Sequence, residues 1–393
     1  MPEGVDLLPG GSVTSAPGFR GAGVACGLKA SGALDVGVLA SDQPAVSALV
    51  DTVNALPSAP VVRNRGLDTS ALRAAVVNAG SANAATGSPG IEDAHLMAAR
   101  AAAALGLEPT EVAVCSTGTI GDRLALDLVL PGIDAAVASM GPAGGPDFGR
   151  AICTTDRAPK GGAFRVPLSG GEVTLGIAAK GAGMISPRMA TMLAFVATDA
   201  AMAPADLRRI TLAAAEGAFN RISVDGQMSP SDTLLVLANG AGPPLEGDDL
   251  ARFGAALTAA CRWVAVQMVK DGEGAEHVVR LTVREAADPA EAEAVARAIG
   301  NSPLVKTAAA GRDPNWGRIA QAAGQALAGR GGPEALLRVS VDDAPVPGPA
   351  AARVLERPEY DMDVSLGRGD GSAVVWWSDL THAYVALNAE YHT

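Results

Sequence analysis

A chain of 393 residues with 48% hydrophobic content is long enough for one large core or two modest ones, and too apolar to stay disordered. Its formal charge of −12 and 3% aromatic content argue against nucleic acid or an anionic membrane surface as partner, because phosphate binding draws on cationic side chains and single strands on stacked rings. Four cysteines and four histidines are scattered without CxxC or ligand spacing, which implies no disulfide framework and no metal site.

The opening MPEGVDLLPGG has neither a basic start nor a long apolar run, so no secretory signal is expected. No stretch approaches the ~18 apolar residues of a membrane span, and a cytoplasmic location is expected. Strands are predicted at 73–80 (RAAVVNAG) and 111–118 (EVAVCSTG). Between them a helical pattern over 91–106 follows a Ser88-Pro89 turn and stops at Gly106. Further strands are predicted at 172–181, 191–198 and 232–240, with a helix over 203–219 that spaces Leu207, Ile210 and Ala214 along one face. After a strand at 277–284, Asp288 as cap, Pro289 at the first helical position and the acid Glu291 open another helix. Asp313 and Pro314 are expected to do the same for 315–327. Gly/Pro-rich loops fall at 140–147, 240–249, 328–334 and 343–351, none long enough to mark a domain boundary. Strands and helices mixed without a regular βαβ period predict an α/β or α+β fold.

Chemistry concentrates at KGAGMISPRMATMLAF (180–195), where a glycine-rich loop runs into an apolar strand opened by Thr191 behind the small Ala190. Threonine is a weak nucleophile unless a base takes its proton, and no Ser-His-Asp set accompanies it. An N-terminal threonine carries its own base, an α-amino group of pKa about 7.7–8.0. A hydroxyl can expose that amine by an N-to-O acyl shift on its own preceding peptide. On residue types alone, a β-branched residue opening a strand is the commoner explanation. STGTIG (116–121) alone reads as a strand end with a tight turn, Lys180 as a loop charge, and Glu273 as an acid in a Gly-rich turn.

KGAGMISPRMATMLAFVATDA (180–200) nevertheless resembles the signature of the ornithine acetyltransferase family, the glutamate N-acetyltransferases of arginine biosynthesis. The likeness continues in family order through VNAGSANAATG (77–87), STGTIG, AICTTD (151–156), ISVDG (222–226), DGEGAEH (271–277), NSPLVKTAAAGRDPNWGRI (301–319) and SDLTHAYVALNAEYHT (378–393). It covers essentially the whole chain.

The resemblance implies a layered α-β-β-α sandwich of the kind shared with N-terminal-nucleophile aminopeptidases. It implies self-cleavage between Ala190 and Thr191, giving an α fragment (1–190) and a β fragment (191–393) that stay together in a heterotetramer or larger assembly. Thr191 would carry acetyl from N2-acetyl-L-ornithine to L-glutamate by ping-pong transfer. No cofactor is implied, with acetyl-CoA left as an alternative donor. Thr117 and Gly118 match the oxyanion-stabilising positions, the missing side chain of Gly118 letting substrate approach closely. Thr154, Lys180, Thr191, Glu273, Asn388 and Thr393 match substrate-binding positions. Amino-acid substrates are zwitterions, and Lys180 with Glu273 supplies a cation for a carboxylate and an anion for an ammonium.

Some positions depart from the family pattern. Gln227-Met228-Ser229-Pro230-Ser231-Asp232-Thr233 stands where the family usually has an acidic, threonine-rich run such as Asp-Thr-Ser-Thr-Asn-Asp-Thr, and Cys153 stands where methionine is common. Donor and acceptor could therefore differ, as in a paralogue of a specialised pathway. The same fold also serves amidohydrolases and aminopeptidases, in which water accepts the acyl group, and a non-enzymatic scaffold would leave the chain uncut. Trp316 is expected to pack at a helix start, Cys115 and Cys153 to be small buried residues, and GRGDGS (367–372) to be a turn.

Overall fold

The computed structural model describes residues 5–186 and 192–390. Within them a six-stranded sheet has the spatial order Asp6–Leu7, Lys160–Leu168, Gly171–Lys180, Leu193–Thr198, Thr233–Ala238, Val46–Asp51. Its neighbours are antiparallel except for the pair Leu193–Thr198 and Thr233–Ala238. A four-stranded sheet runs Phe19–Val24, Val36–Ser41, Ala74–Ser81, Val112–Thr119, and its last pair is parallel.

Side-chain alternation along these strands decides the layering. Phe195, Ala197, Leu235 and Leu237 of the first sheet pack against Leu39, Ala75, Val77 and Ala113 of the second. The oppositely directed Ala194, Val196, Leu234 and Val236 share a core with the helices Pro204–Gly217 and Gly247–Lys270. On the far side, Val38, Ala74, Val76 and Val114 pack with helices Gly87–Leu105 and Leu126–Ser139. The chain thus forms the expected α-β-β-α sandwich, and strands covered on both faces read as continuous apolar runs.

A third sheet of six strands lies within 222–378, backed by helices Pro289–Gly300, Pro303–Ala310 and Trp316–Leu327 around its own core. Its edge strand Ile222–Ser223 comes from the sandwich chain and pairs with Trp376 and Trp377, which joins the two units.

Every strand expected in the sequence is present, with shifted ends. The one predicted from residue 191 is described from Leu193, and Thr191 itself lies outside the described residues. Asp288 caps its helix as expected, accepting the Glu291 N–H at 2.7 Å. Asp313 does not: Asn315 is the cap, accepting the Arg318 N–H at 3.1 Å, while Asp313 binds the Asn315 amide. Ser88 and Pro89 lie inside the first helical turn rather than before it, where proline costs no hydrogen bond. Trp316 begins its helix but is 39% exposed, so it is not the packing residue expected. The expected loops at 140–147, 240–249 and 343–351 each run into a helix: Gly145–Ala151, Gly247–Lys270 and Pro349–Val354. The second of these, 24 residues, is alanine-rich and has no side-chain cap bond to signal its start. Among the described residues no helix is long and apolar enough to cross a membrane.

Candidate active site

The strands Val112–Thr119 and Gly171–Lys180 belong to different sheets, yet their C-terminal ends meet. Lys180 Nζ donates to Thr117 Oγ1 at 3.1 Å and to Thr154 Oγ1 at 2.7 Å. A cavity of about 200 Å³ opens there, and Thr117, Gly118, Thr154, Lys180, Glu273 and Asn388 all line it. Six positions spread over more than two hundred residues of sequence are thus brought to one place. Ala190, Thr191 and Thr393 lie outside the described residues.

Lys180 is buried, which pushes its pKa down, and Asp156 at 4.0 Å resists that fall. Burial would raise the Asp156 carboxyl, but the Lys180 and Lys160 charges outweigh it and hold the group down to about 2. Asp156 also accepts the N–H groups of Gly181 at 2.7 Å and Thr154 at 2.9 Å. Lys160 donates onward to Asp271, which is held by Arg157 at 3.0 Å. The basic side of the cavity therefore rests on alternating charges that run from the buried Lys180, Asp156 and Lys160 side chains out to the exposed Arg157.

The acidic side is assembled from loops. Glu273 accepts from Thr155 Oγ1 at 2.7 Å and from Asn388 Nδ2 at 2.9 Å. An added Cβ on Gly183 would lie 2.6 Å from the Glu273 carboxylate, so glycine there is a condition of its placement. Asp225 also lines the cavity, accepting the N–H groups of Met184 at 2.6 Å, Ile185 at 2.9 Å and Gln227 at 3.0 Å. Burial raises its pKa.

Gly118 has φ +129, and a Cβ would sit 2.4 Å from the Gly80 carbonyl carbon. The neighbouring strand's backbone therefore requires glycine here on its own account, whatever approach Gly118 also allows a substrate. Cys115 is buried as expected, whereas Cys153 is only half-buried. Burial pushes both thiols up to about 12, which disfavours a nucleophilic role. Arg368 of the GRGDGS turn grips Glu291 at 2.8 and 3.1 Å and ties that turn to a helix start.

Sequence reasoning passed over Asp156, Asp225 and Tyr384, although each lies inside one of the family-like blocks. It also missed Asp232, which is fully buried, accepts the Met192 N–H at 3.0 Å, and is pushed by burial well above the ordinary carboxylate range. The signal available was a carboxylate opening an otherwise apolar strand. Among the described residues no side-chain cluster has the makings of a metal site.

Residues 20–393 match the ArgJ family. The chain is 44% identical over 402 residues to an arginine biosynthesis bifunctional protein ArgJ of Symbiobacterium thermophilum, covering 98% of this chain and 99% of that protein. A protein of the same name from Geobacter sulfurreducens is 43% identical over 389 residues, covering 96% of this chain and 99% of the relative. A solved ornithine acetyltransferase from Mycobacterium tuberculosis, complexed with ornithine, is 42% identical with a TM-score of 0.44, covering 48% of this chain and 100% of that one.

Proposed function

The chain belongs to the ArgJ family, and on that premise we propose that it carries acetyl from N2-acetyl-L-ornithine to L-glutamate on Thr191, after cutting itself between Ala190 and Thr191. It is an acyltransferase enzyme of arginine biosynthesis. In the cut, Thr191 Oγ adds to the Ala190 carbonyl carbon, the Ala190–Thr191 C–N bond breaks, and the hydroxyl proton passes to the freed amine. Water then hydrolyses the ester, leaving the two fragments associated. In transfer, Oγ attacks the acetyl carbon, the Thr191 amine relays the proton to the departing ornithine amine, and glutamate's amine later takes the acetyl from the ester.

One observation carries this reading. Lys180, which lines the cavity, pairs with Leu193 across neighbouring strands. The strand Leu193–Thr198, which follows the Ala190–Thr191 junction in the chain, therefore begins beside the cavity. Thr117 supports the reading as well. Its oxygen accepts from Lys180, which leaves its hydroxyl hydrogen available to an oxyanion. Lys180 and Glu273 supply the cation and anion that an amino-acid substrate needs.

Intact mass under denaturing conditions tests the cut, and a single full-length species in active enzyme would sink the mechanism. Incubation with N2-acetylornithine, with and without glutamate, should add one acetyl to the 191–393 fragment and then remove it. Loss of that acetyl without glutamate would identify a hydrolase, and acetyl-CoA can be tried as donor in the same assay. A second reading has its own support: Gln227, Pro230 and Ser231 line the cavity at positions that depart from the family pattern. A related N-acetylated amino acid acetylating the fragment faster than N2-acetylornithine would favour it.

A further inference from the structure

Tyr384 and Asn388 reach the cavity from the helix His382–Glu390, which has no buried residue. Apolar packing therefore does little to hold it. Polar contacts do so instead, and they converge on the loop that carries Glu273. Thr381 Oγ1 donates to the Gly274 carbonyl at 2.6 Å, and Asn388 Nδ2 donates to Glu273 at 2.9 Å. At the root of this arrangement lies Asp379, which is 2% exposed. Its Oδ1 accepts the N–H groups of Glu276 at 2.9 Å and His277 at 3.1 Å. Its Oδ2 meets His277 Nδ1 at 2.7 Å, and its own N–H donates to the His277 carbonyl at 3.1 Å. Lys306, also buried, donates from its ammonium to the Ser378 carbonyl, and its own carbonyl accepts the Leu380 N–H at 3.3 Å, bracketing Asp379 on both sides.

We infer that Asp379, through its buried pairing with His277, is a positioning residue for substrate recognition, clasping the Glu273 loop to the C-terminal helix so that Glu273, Tyr384 and Asn388 face one cavity in a fixed register. The inference rests on the reading that this side of the cavity binds substrate. The clasp touches neither Thr117 nor Lys180, so its loss weakens binding and leaves the acyl-transfer chemistry largely alone. Gly274 fits the same picture: a Cβ there would lie 2.3 Å from the Tyr384 backbone nitrogen, so loop and helix meet with no room between them.

The test uses the full chain with Asp379→Asn, His277→Leu and His277→Asn, the last keeping an N–H donor near the place of Nδ1. Asp379→Asn and His277→Leu should raise KM for N2-acetylornithine about tenfold with kcat within about twofold, the pattern of lost ground-state binding. Hydrogen exchange should quicken at 272–277 and 382–390 in both, while 193–198 exchanges as in the parent. His277→Asn should stay near the parent in all readouts. Unchanged KM, a fall in kcat equal to the fall in kcat/KM, or unchanged exchange would overturn the clasp. If the parent enzyme moves no acetyl from N2-acetylornithine, the functional reading falls, and the exchange measurement alone decides the clasp.

Discussion

Asp156→Asn removes one negative charge from a buried cluster while keeping the shape of the side chain. The Asp156 side chain is fully buried, with Lys180 at 4.0 Å and Lys160 hydrogen-bonded to the other oxygen, and both lysines are almost wholly shielded from water. Two unit charges 4 Å apart at an effective dielectric constant of 20 interact by about 4 kcal/mol. Breaking a buried pair by removing one partner costs about 3–5 kcal/mol, because the other charge stays buried without compensation. Asp271 still faces Lys160 in the variant, so the lower end of that range is expected. Urea unfolding at pH 7, followed by tryptophan fluorescence, measures the loss.

The same substitution predicts an acid signature. The Asp156 carboxyl is held down to about 2 in the folded protein against an ordinary 3.8. Its contribution is present above 3.8 and is lost as pH falls toward 2, because the unfolded chain takes up the proton first. The parent should therefore lose stability over that window, and Asp156→Asn should lose less. A destabilisation at pH 7 below about 1 kcal/mol, the size of an exposed ion pair, would refute the reasoning, as would an acid response equal to the parent's.

Thr117→Ala should lower turnover by about 10²–10³ with the fold intact, the usual loss for one oxyanion donor, and near-parental turnover in a steady-state assay would remove it from that role. Gly183→Ala should push the Glu273 carboxylate off its Thr155 and Asn388 partners, since the new Cβ would lie 2.6 Å from it. KM should rise about tenfold with thermal stability nearly unchanged. Burial lowers the Lys180 pKa below 10.5, so the alkaline limb of kcat/KM should fall earlier than for an ordinary lysine. In Asp156→Asn it should fall earlier still, because the charge that supports the ammonium is gone.

Strands covered on both faces were legible because continuous apolar runs leave little alternative, and Asp288 was legible as a cap because its whole signal lies within four residues. Gly247–Lys270 was not. Its first turn overlaps a Gly/Pro-rich stretch, and its stability comes from packing across the six-stranded sheet rather than from a cap or propensity signal. Asp313 failed as a cap for a similar reason, since Asn315 two residues on also has a side chain able to accept, and only the backbone path chooses between them.

The sequence by itself carried the layered fold, membership of an acetyl-transferring family and six cavity residues, because each is written in local residue patterns that recur in order along the chain. It also pointed to Thr191 through its neighbours in the chain. Tertiary structure alone decided the electrostatics. Lys180 and Asp156 are twenty-four positions apart, and Asp379 meets His277 across about a hundred, so no local pattern reports that either pair is buried. Burial is a property of the finished packing, and it is burial that turns ordinary charged residues into the supports of this site.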